Sequence, residues 1–151
     1  MTFVVPFDGG ALSKVALYRA SEFAARLDAE VVAISAIPPN ERFAEQEGWP
    51  TDPFSVERVA EYLEAEVRKL APDATFAYRK IEPRPPARTV AARLRKMARD
   101  HDADVVFLGS RNAGRLAAPA SSVGAGLATD VGYDIYLVRN IGPIPGISEP
   151  A

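Results

Sequence analysis

The chain alternates between short runs of near-continuous apolarity and longer stretches in which apolar residues recur every three or four positions. That alternation predicts its elements. Residues 2–7 are apolar and partly β-branched, and Asp8-Gly9-Gly10 reads as the turn closing a first strand. Ala16, Ala20, Phe23, Ala24 and Leu27 then repeat at helical spacing to about residue 29, which gives an amphipathic helix with one face on a sheet. Residues 31–37 contain a single polar side chain, Ser35, as expected of a strand buried on both faces of a parallel sheet. The pattern lapses over residues 38–54, a polar stretch with Pro38, Pro39, Gly48, Pro50 and Pro53 that predicts a long loop, either a lid or partner-contact loop or slack connection. Within it, Phe43 and Trp49 are expected to anchor a partner, to close over a ligand, or to pack on the domain itself.

The second half continues the alternation. Ser55 is the expected N-cap of a helix with Val56, Val59, Ala60, Leu63, Val67 and Leu70 inward, stopped by Pro72. Residues 74–81 alternate as a strand with one wetter face does, which suits a sheet edge. Pro83, Pro85 and Pro86 form a stiff connector to a helix carrying Val90, Ala91, Leu94 and Ala98, and residues 104–109 form a fourth strand ending in glycine. Ser121 and Ser122 cap a predicted fourth helix with Val123, Leu127, Ala128 and Val131 inward, and residues 135–138 form a fifth strand. The order βαβαβαβαβ predicts an α/β fold, a doubly wound parallel sheet with helices on both faces and right-handed crossovers. It occupies residues 1–140 as one domain, and the Pro- and Gly-bearing residues 141–151 are expected to be a flexible tail.

Composition narrows the function classes. A chain of 151 residues with 48% hydrophobic and 25% charged residues has the balance of one soluble domain with one substantial core. A formal charge of -2 supplies no global basic field, so neither a nucleic-acid nor a membrane partner is expected. There is no cysteine and one histidine, His101, which removes disulfides, thiolate chemistry and histidine-rich metal sites. The first strand opens with no basic segment before it and no apolar run is long enough to span a membrane, so a cytoplasmic location is expected. The arginines at 88, 95 and 99 share a helical stripe with Arg93 and Lys96 nearby, but acidic residues follow and no aromatic residues interleave, so the stripe reads as a solvated face.

In doubly wound sheets, ligands bind outside the carboxyl ends of the strands where the strand order reverses. Three predicted turns meet that requirement: Asp8-Gly9-Gly10, the end of the second strand at Ala36 and Ile37, and Gly109-Ser110-Arg111-Asn112. The Asp8 carboxylate suits an exocyclic amine or a sugar hydroxyl, and the cap of the fourth helix with Ser121 and Ser122 suits phosphate oxygens. Each feature also has a plain structural reading, as turn, cap or strand end.

At these residues the chain resembles the universal stress protein family, over nearly its whole length. Val5-Pro6-Phe7-Asp8-Gly9-Gly10, with Ser13 and Ala16 beyond, is similar to that family's first strand and turn. The run Ala103-Asp104-Val105-Val106-Phe107-Leu108-Gly109-Ser110 is similar to its fourth strand, and Ser122-Val123 and Val138-Arg139 to its closing helix and strand. The resemblance implies an adenine nucleotide alpha hydrolase-like sheet in the order 3-2-1-4-5 and, in one subgroup, an ATP site in which Asp8 contacts the nucleoside, backbone at Ala36 and Ile37 faces adenine, and Gly109, Asn112, Ser121 and Ser122 line the phosphates, with Mg²⁺. The family's ATP signature places glycine, two residues, glycine, nine residues, then glycine with Ser or Thr. Here Gly109 fits the first position, Asn112 stands at the second, and Ser121-Ser122 end the pattern after eight intervening residues. A second register, Gly114 to Gly124, restores the gap but follows Gly124 with Ala125 and shortens the helix. The expected protein is a non-enzymatic stress-response or signalling domain that acts through protein partners not identifiable from sequence. It is a homodimer through Ile135, Tyr136, Leu137 and Val138, with an adenine nucleotide in the crevice between strands 1 and 4. The alternatives are the same fold acting without ligand as an interaction protein, and a weak ATPase.

Overall fold

The computed structural model describes residues 1–109 and 132–139. Its elements are β1 (Thr2–Pro6), α1 (Ala11–Leu27), β2 (Glu30–Ile37), α2 (Glu41–Glu47), α3 (Val56–Leu70), β3 (Thr75–Lys80), α4 (Ala87–Asp100), β4 (Val105–Gly109) and β5 (Asp134–Val138). All four strand pairings are parallel and the sheet order is β3-β2-β1-β4-β5, as the alternation and the resemblance imply.

Side-chain alternation sorts the strands into two cores. Phe3, Val5 and Phe7 face α1 and α3, where Ala16, Ala20, Val59, Leu63 and Val67 meet them. Val4, Val32, Ile34, Val106 and Leu108 face the other way, onto Leu94, Met97 and Ala98 of α4. Val4, Val5 and Ile34 are wholly buried, and each such side chain is worth about 1.5–3 kcal/mol relative to exposure. The edges are β3 and β5. β3 shows the wetter pattern expected of it, with Thr75, Arg79 and Lys80 exposed.

The cap predicted at Ser55 forms. Ser55 Oγ accepts from the Arg58 amide at 3.1 Å and starts α3. In α1 the apolar stripe is shifted from the expected one. Ser13, Val15, Ala16, Leu17, Ala20 and Ala24 are buried, whereas Phe23 is 38% and Leu27 58% exposed. Phe23 nevertheless lays its ring near Phe107 and Tyr136, at centroid distances of 5.9 and 5.5 Å.

Residues 38–54 are no plain loop. They contain α2, capped by Asn40 Oδ1 on the Phe43 amide at 3.0 Å and ended by Gly48 in the left-handed region at φ 76°. Trp49 is 6% exposed and packs at 5.5 Å from the Phe43 ring, so the aromatic pair serves the domain's own surface. The predicted fourth helix and residues 141–151 lie outside the described residues. Among the described residues, no helix is long and apolar enough to cross a membrane.

Candidate functional site

The chain passes from β1 to β2 and β3 on one side, then crosses to β4 and β5 on the other, so the strand order reverses between β1 and β4. A proline stands where the pairing at that junction ends. The Asp104 amide bonds to Thr2 O and the Phe7 amide to Ile34 O, so Thr2, Val4 and Pro6 turn their peptide groups to β4 while Phe3, Val5 and Phe7 turn theirs to β2. Pro6 has no N–H to give. The β1–β4 register accordingly stops at Val4↔Val106, although β1 pairs with β2 through Pro6↔Ile34 and β4 continues to Gly109.

Asp8 stands just beyond this junction. Its Oδ1 accepts from the Gly10 amide at 2.7 Å and from the buried Ser13 hydroxyl at 2.8 Å, and the Ser13 oxygen in turn receives the Asp8 amide at 3.3 Å. One carboxylate oxygen therefore closes a side-chain turn onto Gly10, the N-cap of α1, and sets a negative charge at the start of a helix whose first turn holds no acidic residue. Gly10 admits this closeness, because a Cβ there would lie 2.9 Å from Oδ1. Gly9 sits at φ 80° against Leu63 and Tyr62 of α3. Among the described residues, nothing bonds to Oδ2, and Asp8 is exposed. The plain and the functional readings of Asp8 thus fall on different oxygens.

The turn is braced from behind. Ser35 Oγ donates to Phe7 O, and the Trp49 indole Nε1–H donates to Asp8 O at 2.8 Å. Asn40 Nδ2 reaches across to Pro83 O at 2.9 Å, tying the segment after β2 to the β3–α4 connector. On α3, burial and then the Glu66 carboxylate hold the Tyr62 hydroxyl above its ordinary range, and Glu66 itself lies 3.6 Å from both Lys14 and Lys69.

The remaining site residues separate under this geometry. Strand alternation turns the peptide groups of Ala36 toward β1, two residues past the last β1–β2 bond at Ile34, so they open on the crevice. Ile37 turns the other way. Its carbonyl accepts the Ile81 amide at 3.0 Å, and its side chain is wholly buried. Gly109 has a packing reason to be glycine, since a Cβ there would overlap the Leu12 carbonyl oxygen and lie 2.7 Å from the Leu12 carbonyl carbon and 3.1 Å from Ala16 Cβ. Asn112, Ser121 and Ser122 lie outside the described residues. The structure therefore brings Asp8, Ala36 and Gly109 to one end of the sheet.

Trp49 and Asn40 belong to this region although their bonds to Asp8 and Pro83 have no motif in the sequence. One signal did exist: Asn40 and Gly48 stand where a helix of two turns would take its caps.

The universal stress protein family model matches residues 1–139. No curated protein matches the chain in sequence. Among solved structures, a universal stress protein in complex with cAMP is similar at 22% identity and TM-score 0.58, covering 92% of this chain and 96% of its own. The universal stress protein UspA from Lactobacillus plantarum is similar at 15% identity and TM-score 0.59, over 92% and 97% of the two chains. A universal stress protein from Archaeoglobus fulgidus in complex with dAMP is similar at 13% identity and TM-score 0.54, over 91% and 95%. At these identities the structures speak for the fold, and the family match over 1–139 carries the assignment: the chain belongs to the universal stress protein family.

Proposed function

We propose that this chain is a non-catalytic nucleotide-responsive domain that binds an adenine nucleotide in the crevice between β1 and β4. The observation that carries the reading is the divided role of the Asp8 carboxylate. Oδ1 is fixed by Gly10 and Ser13, and Oδ2 has no partner among the described residues, in the turn that leaves β1 at the strand-order reversal, where the β1–β4 register has already ended at Val4. A rigid, charged acceptor there suits the hydroxyls of a ribose or the amine of adenine, and the peptide groups of Ala36 are turned to the same crevice. Two of the similar structures hold cAMP and dAMP, which agrees with the nucleoside half of the proposal.

The nucleoside end fits the residues present better than the phosphate end does. Gly109 is needed by α1, so its lack of a side chain leaves no cradle that a phosphate alone explains. Among the described residues, no group of three His, Asp or Glu comes together, so Mg²⁺ would arrive on the nucleotide's phosphates. Thermal unfolding with ATP, with and without Mg²⁺, tests the proposal. Ligand at about 100 times its Kd adds about 2.7 kcal/mol of stability, and an unchanged transition at millimolar ATP overturns it.

The Gly109 packing also favours a second reading, in which the same fold works without ligand as an interaction protein. In either reading the chain pairs as a homodimer along β5. β5 is an edge strand whose residues 135–137 are only half-buried, with Phe23 exposed beside Tyr136, and a second copy would cover that edge.

A further inference from the structure

We infer that Trp49 is a positioning residue for the crevice, clamping the segment between β2 and α3 onto the Asp8 turn so that the segment and the bound nucleotide order one another. The inference rests on the nucleotide reading above, and it concerns a residue outside every motif of the chain. It starts from the weakness of α2. A helix of seven residues with one buried side chain, Ala44, has too few hydrogen bonds to hold itself and must be held by tertiary contacts.

Those contacts converge on two residues. Asn40 caps α2 and bonds to Pro83 O at 2.9 Å, and Gly48 then reverses the chain so that the Trp49 amide returns to Ala44 O at 2.9 Å. The reversal delivers the indole, almost fully buried, to Asp8 O. What the bond fixes follows from its neighbour. Gly9 adopts φ 80°, and glycine accepts either sign of φ, so the Asp8–Gly9 peptide plane has little local reason to keep one orientation. The indole N–H selects the orientation with the carbonyl turned to Trp49. Asp8 is then held by its amide, its carbonyl and Oδ1 together, which leaves Oδ2 as its one acceptor without a partner among the described residues.

Coupling runs both ways, because whatever orders the turn favours the clasp and whatever orders the clasp favours the turn. The segment bonds to Asp8 O after β1 and to Pro83 O in the β3–α4 connector, so closing it fixes the Asp8 turn on the β1 side of the crevice.

The test compares wild type with Trp49→Phe, which keeps an aromatic ring and removes the N–H. ATP is titrated by calorimetry, and trypsin cleavage after Arg42, exposed in α2, is followed with and without ATP. Trp49→Phe is expected to bind ATP about three- to tenfold more weakly, the effect of one lost hydrogen bond to a carbonyl, and to lose most of the ATP protection of Arg42 at matched saturation. Since Trp49 is the only tryptophan, indole emission of the wild type should also change on ATP addition in step with the calorimetric curve. Equal affinity in the two proteins overturns the inference and leaves the nucleotide reading intact. A wild type that binds no ATP overturns both. Should Trp49→Phe unfold, the wild type still decides: saturation by ATP with neither emission nor Arg42 cleavage altered refutes the clasp.

Discussion

Gly109→Ala isolates one physical claim, that this glycine serves the packing of α1 on β4. The added methyl would overlap the Leu12 carbonyl oxygen and lie 2.7 Å from its carbon, where carbon atoms prefer about 3.5–4.0 Å. The obstructing atoms are main chain in the first turn of α1, so no side chain can rotate away. Relief requires β4 or the start of α1 to move by about 1 Å, in a layer where Leu17, Ala16 and Phe107 are already buried. Overpacking of this kind costs about 1–3 kcal/mol, and a rigid obstacle argues for the upper half, about 2–3 kcal/mol. Urea unfolding of the ligand-free protein reads it directly: with a slope of about 2 kcal/mol per molar, the midpoint falls by about 1–1.5 M. The same shift must appear without nucleotide, because the clash is with the protein. A variant within about 0.5 kcal/mol of wild type would refute the packing account and return Gly109 to the role of a ligand-side glycine.

Ser13→Ala removes the hydroxyl that both donates to Oδ1 and receives the Asp8 amide in a buried place, so unfolding should show a loss of about 1–3 kcal/mol; a neutral result would mean water replaces it freely. Pro6→Val restores a donor toward β4, and amide exchange should reveal a new protected N–H at position 6 with weaker ATP binding, whereas an unprotected amide would show that Pro6 does not end the pairing. Asp100 is held below its ordinary carboxylate value of 3.8, first by its hydrogen bond from Lys96, so the pair's small contribution is complete above that value and disappears as pH falls through the lowered one. Lys96→Met should return the Asp100 carboxyl upward in an NMR titration, and an unmoved titration would remove Lys96 as the cause. The Asp134 amide bonds to Asp104 O, so the amide of Ile135 points away from β4, and Ile135→Pro should give monomers by light scattering if that edge pairs with a second copy. A folded Ile135→Pro dimer would move the interface elsewhere.

The sheet was legible because parallel strands buried on both faces leave a plain trace: residues 31–37 can be almost wholly apolar only where both sides are covered. The edge character of β3 was legible for the opposite reason, its alternation with Arg79 and Lys80. α2 was not, since one buried alanine in seven residues gives no stripe and the prolines around it mimic a loop. The α1 stripe was displaced by Phe23 and Leu27, apolar residues that sequence pattern assigns inward but that the helix leaves partly outside, Phe23 beside Tyr136 of β5. Asp8 was legible as a site residue from its place at a strand end, yet the split between Oδ1 and Oδ2 depends on Ser13 and Gly10 meeting it in space. Trp49 was legible only as an aromatic in need of cover; that its N–H ends on Asp8 O, 41 residues away, is a matter of tertiary path.

Calorimetric titration of ATP into wild type and Asp8→Asn tests the central claim most directly. Asparagine keeps an oxygen for Gly10 and Ser13 and sets an amide group in place of Oδ2, so the turn keeps its bonds and loses the carboxylate charge. A hydrogen bond to a charged group is worth about 1.5–3 kcal/mol, so the account predicts saturable binding by wild type and affinity about 10- to 150-fold weaker in Asp8→Asn, with the fold's stability lowered by no more than about 0.3–1 kcal/mol, the worth of a carboxylate at a helix start. Equal affinity in the two proteins would contradict it.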